Sequence, residues 1–364
     1  MNRCATSTPH SGSVNDFSSH RQIVEDVDRR ELERQIEQST DENRWQDPSN
    51  FWNPGPATFR ENAKLRLLHG IAVASGSLRP VFGRLATSTF GILTYHRVSE
   101  KTSKSRDRRV VQPSINVSPK QFRNQLLGLQ QKGFQFRRLS DLMQDISQQC
   151  DGRLSEGSLC ERTIVVTFDD IYDNVFHNAW PILQELNIPA TVFISTAFLD
   201  SPEPFPFDHW ARKFYGDVSQ EDWRPIQSSH LEQMLSSHLI ELGAHTHTHQ
   251  DFRTRPSDFS ADLADGIQQL KQRFSVDRLP FAFPYGVPRL GFANQQLMDH
   301  VRKTDLTCGL TTGGHANLFG SDPYGWGRFH VFEHDSAASL SAKLDGYYEW
   351  LPALKNRVTS LLRT

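Results

Sequence analysis

The chain has 364 residues, of which 37% are hydrophobic and 23% charged, and its formal net charge is -2. This length allows one large domain or two small ones, and the near-neutral charge excludes a general nucleic-acid binder, whose surface would carry a strong basic excess. No apolar run approaches the roughly 18 residues of a transmembrane helix, no secretory signal is visible, and the four cysteines form no C-x-x-C pair, so we expect a cytoplasmic chain without a disulfide scaffold.

The N-terminal part divides into two segments. Residues 1–56 are polar and nearly free of Leu and Val, which predicts a disordered or loosely attached tail. Residues 57–90 mix apolar side chains with Arg and Lys and contain a single acid, Glu61. Such a basic amphipathic segment either makes peripheral contact with an anionic membrane or packs as a helix against the domain that follows.

Residues 91–364 alternate short apolar runs with helical patterns, which predicts one catalytic domain. Strands are predicted at 91–95, 163–168, 190–194, 239–242, 280–283 and 306–311. Helices are predicted at 119–132 after the cap Ser118, at 174–186 with a bend or restart at Pro181, and at 229–237, 258–274, 292–303 and 336–361. Strands separated by helices pair in parallel. At least six such units favour an α/β fold of the (β/α) barrel type.

In such a barrel the active site forms where strands end, so polar residues directly after strands are the candidates. The first group is Thr167-Phe-Asp169-Asp170, after the strand at 163–168. Adjacent side chains diverge, so one carboxylate could bind a metal ion while the other faces a water molecule. The alternative is a helix N-cap followed by an acid in the first turn.

The second group is Gly243-Ala-His245-Thr-His247-Thr-His249, after the strand at 239–242. Imidazole is the commonest neutral metal ligand, and zinc prefers it. His245 and His249 are four residues apart, which lets one turn of backbone bring both to the same ion, while His247 points elsewhere. The alternative, a solvated polar loop, rarely contains three histidines in five residues.

The third group is Phe283-Pro284-Tyr285-Gly286, a tight loop that could direct a backbone N–H into a pocket or be an ordinary turn. Taken together, Asp170, His245 and His249 would supply one carboxylate and two imidazoles to a metal ion, which is the ligand number of a catalytic site with open positions. Asp169 would be the spare carboxylate beside the water.

The order T-F-D-D, H-T-x-x-H and F-P-Y-G resembles the NodB-homology polysaccharide deacetylases, carbohydrate esterase family 4. The segment Leu93-Thr-Tyr-His96-Arg97 is similar to the Y-H-R segment that starts many members, and Pro189-Ala-Thr-Val-Phe-Ile194 resembles their next strand. The resemblance covers about residues 91–335. It implies a distorted barrel of about seven parallel strands and the metal-dependent removal of N-acetyl groups from amino sugars.

The resemblance also implies roles for individual residues. Asp169 matches the catalytic base that activates a water at the metal, and Asp170, His245 and His249 match the ligands of one divalent ion. Zinc is the expected ion, with cobalt, nickel and manganese as alternatives. Tyr285, after Pro284, matches the residue whose backbone N–H helps to hold the oxyanion. His96, at the end of the first strand, is expected near the substrate, without an assigned role.

Three departures from the family pattern stand out. Ile171 follows T-F-D-D where Gly is usual, and Ala282 stands where many members have an arginine that orients the catalytic carboxylate. The latter change resembles a subgroup linked to exopolysaccharide processing. No clear L-x-H motif supplies a general acid, for which His334 is the candidate and His330 its rival.

An aromatic-rich segment contains Phe205, Phe207, Trp210, Phe214 and Trp223. These side chains either line a sugar groove or pack against the side of the barrel.

The favoured function is deacetylation of a polysaccharide or a lipid-linked amino sugar, with N-acetyl or O-acetyl groups as the target. One alternative is hydrolysis of a small non-peptide amide on the same fold. Another is a non-catalytic glycan-binding pseudoenzyme, which the missing arginine favours and the intact set Asp169, Asp170, His245 and His249 opposes. Because many relatives act outside the cytoplasm and this chain shows no export signal, residues 57–90 are a candidate membrane contact.

Overall fold

The structure is a computed structural model that describes residues 89–100, 113, 115–150 and 162–346. The polar segment 1–56 and nearly all of the basic segment 57–90 lie outside the described residues, as does most of the predicted helix 336–361. The predictions for the tail and for membrane contact therefore stay predictions. Within the described ranges no helix combines the length and the apolar character needed to cross a bilayer.

The described residues form one mostly parallel sheet of nine strands, a separate two-stranded sheet, and eight α-helices. The strands are β1 Thr89–Tyr95, β2 Arg97–Val98, β3 Asn116–Val117, β4 Gln135–Phe136, β5 Thr163–Phe168, β6 Ala190–Ile194, β7 Ile240–Ala244, β8 Phe281–Ala282, β9 Gly309–Leu310, β10 Asn317–Leu318 and β11 Phe329–His330. The helices are α1 Pro119–Gln131, α2 Leu139–Cys150, α3 Trp180–Leu186, α4 His209–Phe214, α5 Ser228–Ser236, α6 Pro256–Phe274, α7 Gln295–Arg302 and α8 Ala337–Leu344.

The parallel strands follow one another in the order β1, β5, β6, β7, β8 and β9. On the other side of β1, β11 pairs in parallel and β10 pairs antiparallel. With β11 there are seven parallel strands in this series, so the predicted α/β barrel of about seven parallel strands is confirmed. The predicted strands lie within a few residues of those observed.

The barrel is closed by the chain between Trp326 and His330. Trp326 forms a bridge to Leu310 of β9, and the N–H of Thr311 donates to the Trp326 carbonyl oxygen at 2.7 Å. Four residues later, His330 pairs with Thr94 of β1. This short segment therefore joins the last strand to the first strand.

Side chains alternate between the two faces of each strand, which is the rule for a strand of period two. Ile164 and Val166 of β5 belong to the large apolar cluster under the helices, whereas Val165 belongs to a second cluster with Ile92, Phe193, Leu310 and Trp326. The second cluster fills the inside of the barrel. Towards the carboxyl ends of the strands, the inward residues become polar.

Helix ends follow the expected local chemistry. The Ser118 side chain accepts a hydrogen bond from the N–H of Gln121 and caps α1, which begins at Pro119. At Pro181 the predicted restart occurs, because a π-helical turn over Val175–Ala179 gives way to α3 one residue before the proline. Proline lacks the N–H that a continuous helix needs at this point.

Candidate active site

The structure brings together three predicted ligands from two loops. Asp170 follows β5, while His245 and His249 follow β7, and their ligand atoms all lie within 4.8 Å of one another. All three side chains are buried. Because β5 and β7 flank β6 in a parallel sheet, their carboxyl ends open onto the same end of the barrel.

The separations fit coordination of one ion. His249 Nε2 lies 3.2 Å from Asp170 Oδ1, and His245 Nε2 lies 3.5 Å from the same oxygen. Two ligands at zinc distances and a tetrahedral angle are about 3.3 Å apart. The Asp170 oxygen is buried and accepts no hydrogen bond, which is costly for a carboxylate unless a cation compensates it. These residues therefore fit a divalent metal ion.

The backbone sets the orientation of His245. Its Nδ1 lies 2.7 Å from the carbonyl oxygen of Ala282. A carbonyl oxygen only accepts, so Nδ1 carries the proton and donates it, which leaves the lone pair on Nε2 facing Asp170. Such a hydrogen bond is the usual way in which a ligating histidine is held in one tautomer.

His249 is held by stacking. Its ring lies against Phe207, with centroids 3.8 Å apart and planes 21° apart, and against Tyr285 at 4.8 Å. The N–H of His249 donates to the Thr246 hydroxyl at 3.1 Å. Aromatic neighbours on two sides restrict the imidazole while its Nε2 faces Asp170.

Burial and charge act on these groups in opposite directions. Burial alone would raise the pKa of Asp170, yet the two imidazoles beside it hold that pKa well below its usual value. For His245, burial lowers the pKa, but the Asp170 and Asp169 carboxylates raise it above the ordinary value. For His249, burial prevails and its pKa is lowered. The carboxylate is therefore ionised, as ligation requires.

Asp169, the predicted base, is held by an arginine from the segment that closes the barrel. Arg328 Nη1 lies 2.6 Å from Asp169 Oδ1 and Nη2 lies 2.7 Å from Oδ2, so the ion pair is bidentate. Both residues are almost completely buried. The guanidinium also donates to the carbonyl oxygen of Thr311 at 3.2 Å, so it spans the barrel between β9 and β5.

This ion pair shows that Asp169 is oriented by an arginine although Ala282 stands where many family members have theirs. Arg328 reaches the carboxylate from another part of the chain, just before β11. Burial raises the pKa of Asp169, but the charges of Arg328, His245 and His96 and the hydrogen bonds from Arg328 together outweigh burial, so the pKa of Asp169 lies below its ordinary value.

Arg328 was not among the residues predicted from the sequence. One sequence pattern could have indicated it, since polar and apolar residues alternate in Arg328-Phe329-His330. In extended chain this alternation puts Arg328 and His330 on one face and Phe329 on the other, in the core.

Backbone conformations that disfavour side chains are concentrated in the three motifs. Ten described non-glycine residues have positive φ, and five of them are Asp170, Ile171, Thr246, His249 and Tyr285. Such residues cost about 1–3 kcal/mol each and persist where the surrounding structure holds them. Ile171, at φ 53°, occupies the place of the usual glycine with a buried side chain.

The loop Pro284-Tyr285-Gly286 lies at the same end of the barrel. Tyr285 has φ 60° and Gly286 has φ 61°. The N–H of Gly286 donates to the Pro284 carbonyl oxygen at 2.6 Å, and the Thr312 hydroxyl donates to the Tyr285 carbonyl oxygen at 3.1 Å. The loop is thus fixed from both sides, with the Tyr285 ring against His249.

The two candidate proton donors, His334 and His330, and the histidine without an assigned role, His96, occupy different places. His96 lies directly after β1, and its ring stacks on His330 with centroids 5.7 Å apart. The charges of Asp170 and Asp169 act on His96, although burial dominates and lowers its pKa. His334 is exposed and stacks on Phe332 at 5.4 Å. The charge of Asp169 also acts on His330, whose pKa burial holds well below its ordinary value.

An acidic side chain on α6 holds the histidine loop. The Asp262 carboxylate accepts hydrogen bonds from the N–H of His247 at 2.7 Å, from the N–H of Thr248 at 3.1 Å and from the Thr248 hydroxyl at 2.5 Å. His247 itself contacts the Thr196 hydroxyl at 2.8 Å and points away from the ligand group. Asp262 thus fixes the backbone that carries His245 and His249.

The aromatic-rich segment mostly packs inward. Phe205, Trp210, Phe214 and Trp223 are buried, and only Phe207 reaches the ligand group through its stacking on His249. The predicted sugar-binding wall is therefore limited to Phe207. Arg97 ties this segment to the barrel, since its guanidinium contacts Asp208 and lies 3.7 Å over the Tyr172 ring.

Comparison with known proteins agrees with this geometry. The family model described as Polysaccharide deacetylase matches residues 156–309. A poly-beta-1,6-N-acetyl-D-glucosamine N-deacetylase of Staphylococcus aureus is 23% identical over 248 residues, which span 65% of this chain and 74% of that protein. The Staphylococcus epidermidis protein of the same name is 22% identical over 271 residues, or 71% and 83% of the two chains.

Solved structures share the fold. The Streptococcus pyogenes deacetylase PplD in complex with acetate superposes with a TM-score of 0.54 at 16% identity, covering 71% of this chain and 99% of that one. IcaB from Ammonifex degensii gives 0.53 at 22% identity, with coverages of 71% and 97%. Residues 156–309 therefore match a polysaccharide deacetylase domain, and together with the motifs and the relatives this match identifies the chain as a hydrolase of that class.

Proposed function

We propose that this hydrolase removes N-acetyl groups from a β-1,6-linked polymer of N-acetylglucosamine. The observation that carries the proposal is the convergence of Asp170, His245 and His249 beside a second carboxylate, Asp169, that Arg328 orients. The polymer is suggested by the Staphylococcus relatives, whose printed names state that substrate and whose similarity extends over 65–71% of this chain.

Asp169 is the proposed base. Its pKa is lowered overall, so it is ionised and able to accept the proton of a water molecule that attacks the acetamide carbonyl. Arg328 occupies both Asp169 oxygens and holds the carboxylate plane in one orientation. Asp170, whose oxygen faces the two imidazoles, is not available for that task.

Asp170, His245 and His249 would hold a divalent ion, with zinc proposed and cobalt, nickel and manganese as alternatives. Such an ion, when bound, polarises a carbonyl oxygen and lowers the pKa of water from 15.7 towards about 7 in favourable cases. On the protein side, the backbone N–H of Tyr285 is the proposed donor to the oxyanion. One donor of this kind typically contributes about 3–4 kcal/mol to lowering the barrier.

The leaving amine needs a proton, and His96 is the proposed carrier. Among the candidates, His96 lies under the influence of both carboxylates, whereas His334 is exposed and stacked on Phe332. Once Asp169 has accepted the proton of the water, the neutral imidazole of His96 can take that proton from Asp169 and pass it to the leaving nitrogen. His330, stacked on His96, is the proposed support for its ring orientation.

The pseudoenzyme alternative loses its main support. It rested on the absence of an arginine to orient the base, and Arg328 supplies that contact. No observation favours the small-amide alternative over the polysaccharide. Peripheral membrane contact through residues 57–90 stays a separate prediction.

The test compares purified full-length variants in the presence of zinc, with free amines and acetate measured after incubation with acetylated β-1,6-linked and β-1,4-linked glucosamine oligomers. We expect turnover on the β-1,6 series. Asp169→Asn should reduce kcat by about 10²–10⁴-fold, the usual contribution of a general base, while zinc content is unchanged. Asp170→Asn should lose the zinc ion of this site and the activity together.

Asp265→Asn is the matched control, because Asp265 is an exposed aspartate on α6 that belongs to no site described above. It should behave as wild type. Asp169→Asn turning over at the wild-type rate would overturn the assignment of the base. A wild-type enzyme active only on the β-1,4 series would overturn the proposed linkage and leave the deacetylase mechanism standing.

A further inference from the structure

A second group of metal-ligand side chains lies outside the candidate active site. In the ranges that the structure describes, the ligand atoms of Asp173, His177 and His230 lie within 4.8 Å of one another. Asp173 stands three residues after Asp170, His177 lies on the π-helical turn Val175–Ala179, and His230 lies on α5. The mechanism proposed above uses none of these three residues.

Both imidazoles, those of His177 and His230, face the Asp173 carboxylate. His230 Nδ1 lies 2.7 Å from Asp173 Oδ1, and His177 Nε2 lies 3.7 Å from Asp173 Oδ2. The first distance is that of an Asp–His hydrogen bond, and the second is close to the separation of about 3.3 Å between two tetrahedral zinc ligands. A simple Asp–His hydrogen bond would need one imidazole, whereas here a second imidazole faces the same carboxylate beyond hydrogen-bond distance.

The positions of these groups are fixed by the backbone. The N–H of Asp173 donates to the carbonyl oxygen of Arg224 at 2.9 Å, and the N–H of Ile226 donates to that of Ile171 at 3.0 Å. The His230 ring stacks on Phe176 with centroids 4.0 Å apart and planes only 3° apart. A site that exists before the ion arrives loses little conformational entropy on binding.

The support of the carboxylate and the access from solvent also fit a metal site. The Asp173 side chain is 1% exposed, and its Oδ2 accepts from Arg224 Nη2 at 2.6 Å, which leaves Oδ1 towards His230. Ligating carboxylates are commonly supported by such a hydrogen bond to the other oxygen. The side chain of His177 is 40% exposed, so an ion can reach the group from solvent.

We infer that Asp173, His177 and His230 form a second divalent-cation site, separate from the one proposed at Asp170. Two imidazoles and one carboxylate suit zinc or a neighbouring transition metal rather than calcium or magnesium. An ion there would connect the segment after β5, which carries Asp173 and His177, to α5, which carries His230.

The experiment measures how many zinc ions each chain binds. Full-length protein without an affinity tag is stripped with a chelator, equilibrated with zinc alone at a buffered free concentration, and analysed for zinc per chain by elemental analysis. Wild type should hold two ions. His177→Gln should hold one, and because His177 is exposed this variant is expected to fold normally. Asp170→Asn should also hold one ion.

His209→Gln is the control for adventitious binding, since His209 is an exposed histidine at the start of α4. It should hold two ions. If wild type and His177→Gln hold equal amounts of zinc, the second site is refuted, whatever the Asp170→Asn variant shows. If His177→Gln loses one ion while Asp170→Asn loses none, the second site stands and the proposed catalytic ligand set fails instead.

Discussion

Asp169 and Arg328 form an ion pair with almost no exposed surface, and its energetics follow from that burial. Removing two charges from water costs several kcal/mol per ion, so a buried pair adds little net stability, while the loss of one partner costs about 3–5 kcal/mol. The pair is therefore better understood as a device that sets the orientation of a carboxylate. Two parallel N–H···O bonds fix the carboxylate plane as a single bond cannot.

This geometry predicts the effect of Arg328→Lys. A lysine ammonium keeps the charge but cannot bind both Asp169 oxygens in a fork. We expect kcat on the accepted substrate to fall by about 10–100-fold, since misplacing a catalytic group by about 1 Å can cost that much. The KM should change little, because Arg328 is buried beneath the base and not exposed to substrate.

The measurement is steady-state kinetics with circular dichroism to verify folding. Arg302→Lys is the matched control, since Arg302 pairs with Asp299 and Asp322 on the surface. It should leave kcat unchanged. A rise in KM with constant kcat in Arg328→Lys would contradict a positioning role.

Cys308 provides a pH-dependent prediction away from the site. Burial disfavours the thiolate and raises the pKa of Cys308 to about 12. At pH 8 roughly one thiol in ten thousand is then ionised, so native Cys308 should resist iodoacetamide. Because the folded pKa exceeds the unfolded pKa, the stability contribution of the buried thiol is complete below the unfolded pKa and is lost as pH rises through the folded one.

The test uses a chain in which Cys4, Cys150 and Cys160 are replaced by serine and follows alkylation by mass spectrometry. Labelling should be absent in buffer at pH 8 and complete in denaturant. Rapid labelling of the native chain at pH 8 would show that the thiol is accessible and ionised.

At the scale of elements, the loop that carries His245 and His249 depends on a helix that supplies no ligand. Asp262 of α6 accepts three hydrogen bonds from His247 and Thr248. We expect Asp262→Ala to reduce zinc affinity at the catalytic site by about 10–100-fold, the usual effect of losing a supporting contact.

Zinc competition with a chromophoric chelator measures this affinity, and Asp265→Ala on the same helix is the control. Both variants also carry His177→Gln, so that the proposed second site does not contribute to the zinc bound. An unchanged affinity in Asp262→Ala would mean that the loop keeps its conformation through other contacts, such as the Thr246 hydroxyl with the N–H of His249.

For the whole molecule, the critical step is the closure of the barrel by the segment from Trp326 to His330. Trp326 is 1% exposed, packs edge-on against Phe90 at 4.8 Å, and bridges to β9. Trp326→Ala would leave a cavity and loosen the segment 326–330, which carries Arg328. We expect a loss of about 3–5 kcal/mol in the free energy of unfolding.

Denaturant unfolding measures this loss, and Tyr215→Ala, with 52% of the residue exposed, is the control that should change stability by less than about 0.5 kcal/mol. Catalytic activity of Trp326→Ala should fall with stability because Arg328 lies two residues away. A fully stable Trp326→Ala would show that barrel closure does not depend on this contact.

Local sequence patterns determined many of the strands and the positions of the three motifs. The largely apolar runs at 163–168 and 190–194 have the same bounds as β5 and β6, because parallel strands buried on both faces are rich in apolar and β-branched residues. The three motifs lie at the mouth of the barrel because each directly follows the carboxyl end of a parallel strand, and this can be read from the sequence next to each motif. Short strands such as β2, β3 and β10 were missed because two residues carry no periodic pattern.

Tertiary structure decided what local pattern could not. Arg328 reaches Asp169 across 159 positions of sequence, and His230 reaches Asp173 across 57. The alternation of polar and apolar residues along the chain indicates which face of a strand a side chain occupies. Which side chain it then contacts across the barrel depends on which strands become neighbours. That choice was made when the segment 326–330 joined β9 to β1, and it supplied the arginine that the sequence alone had shown as missing.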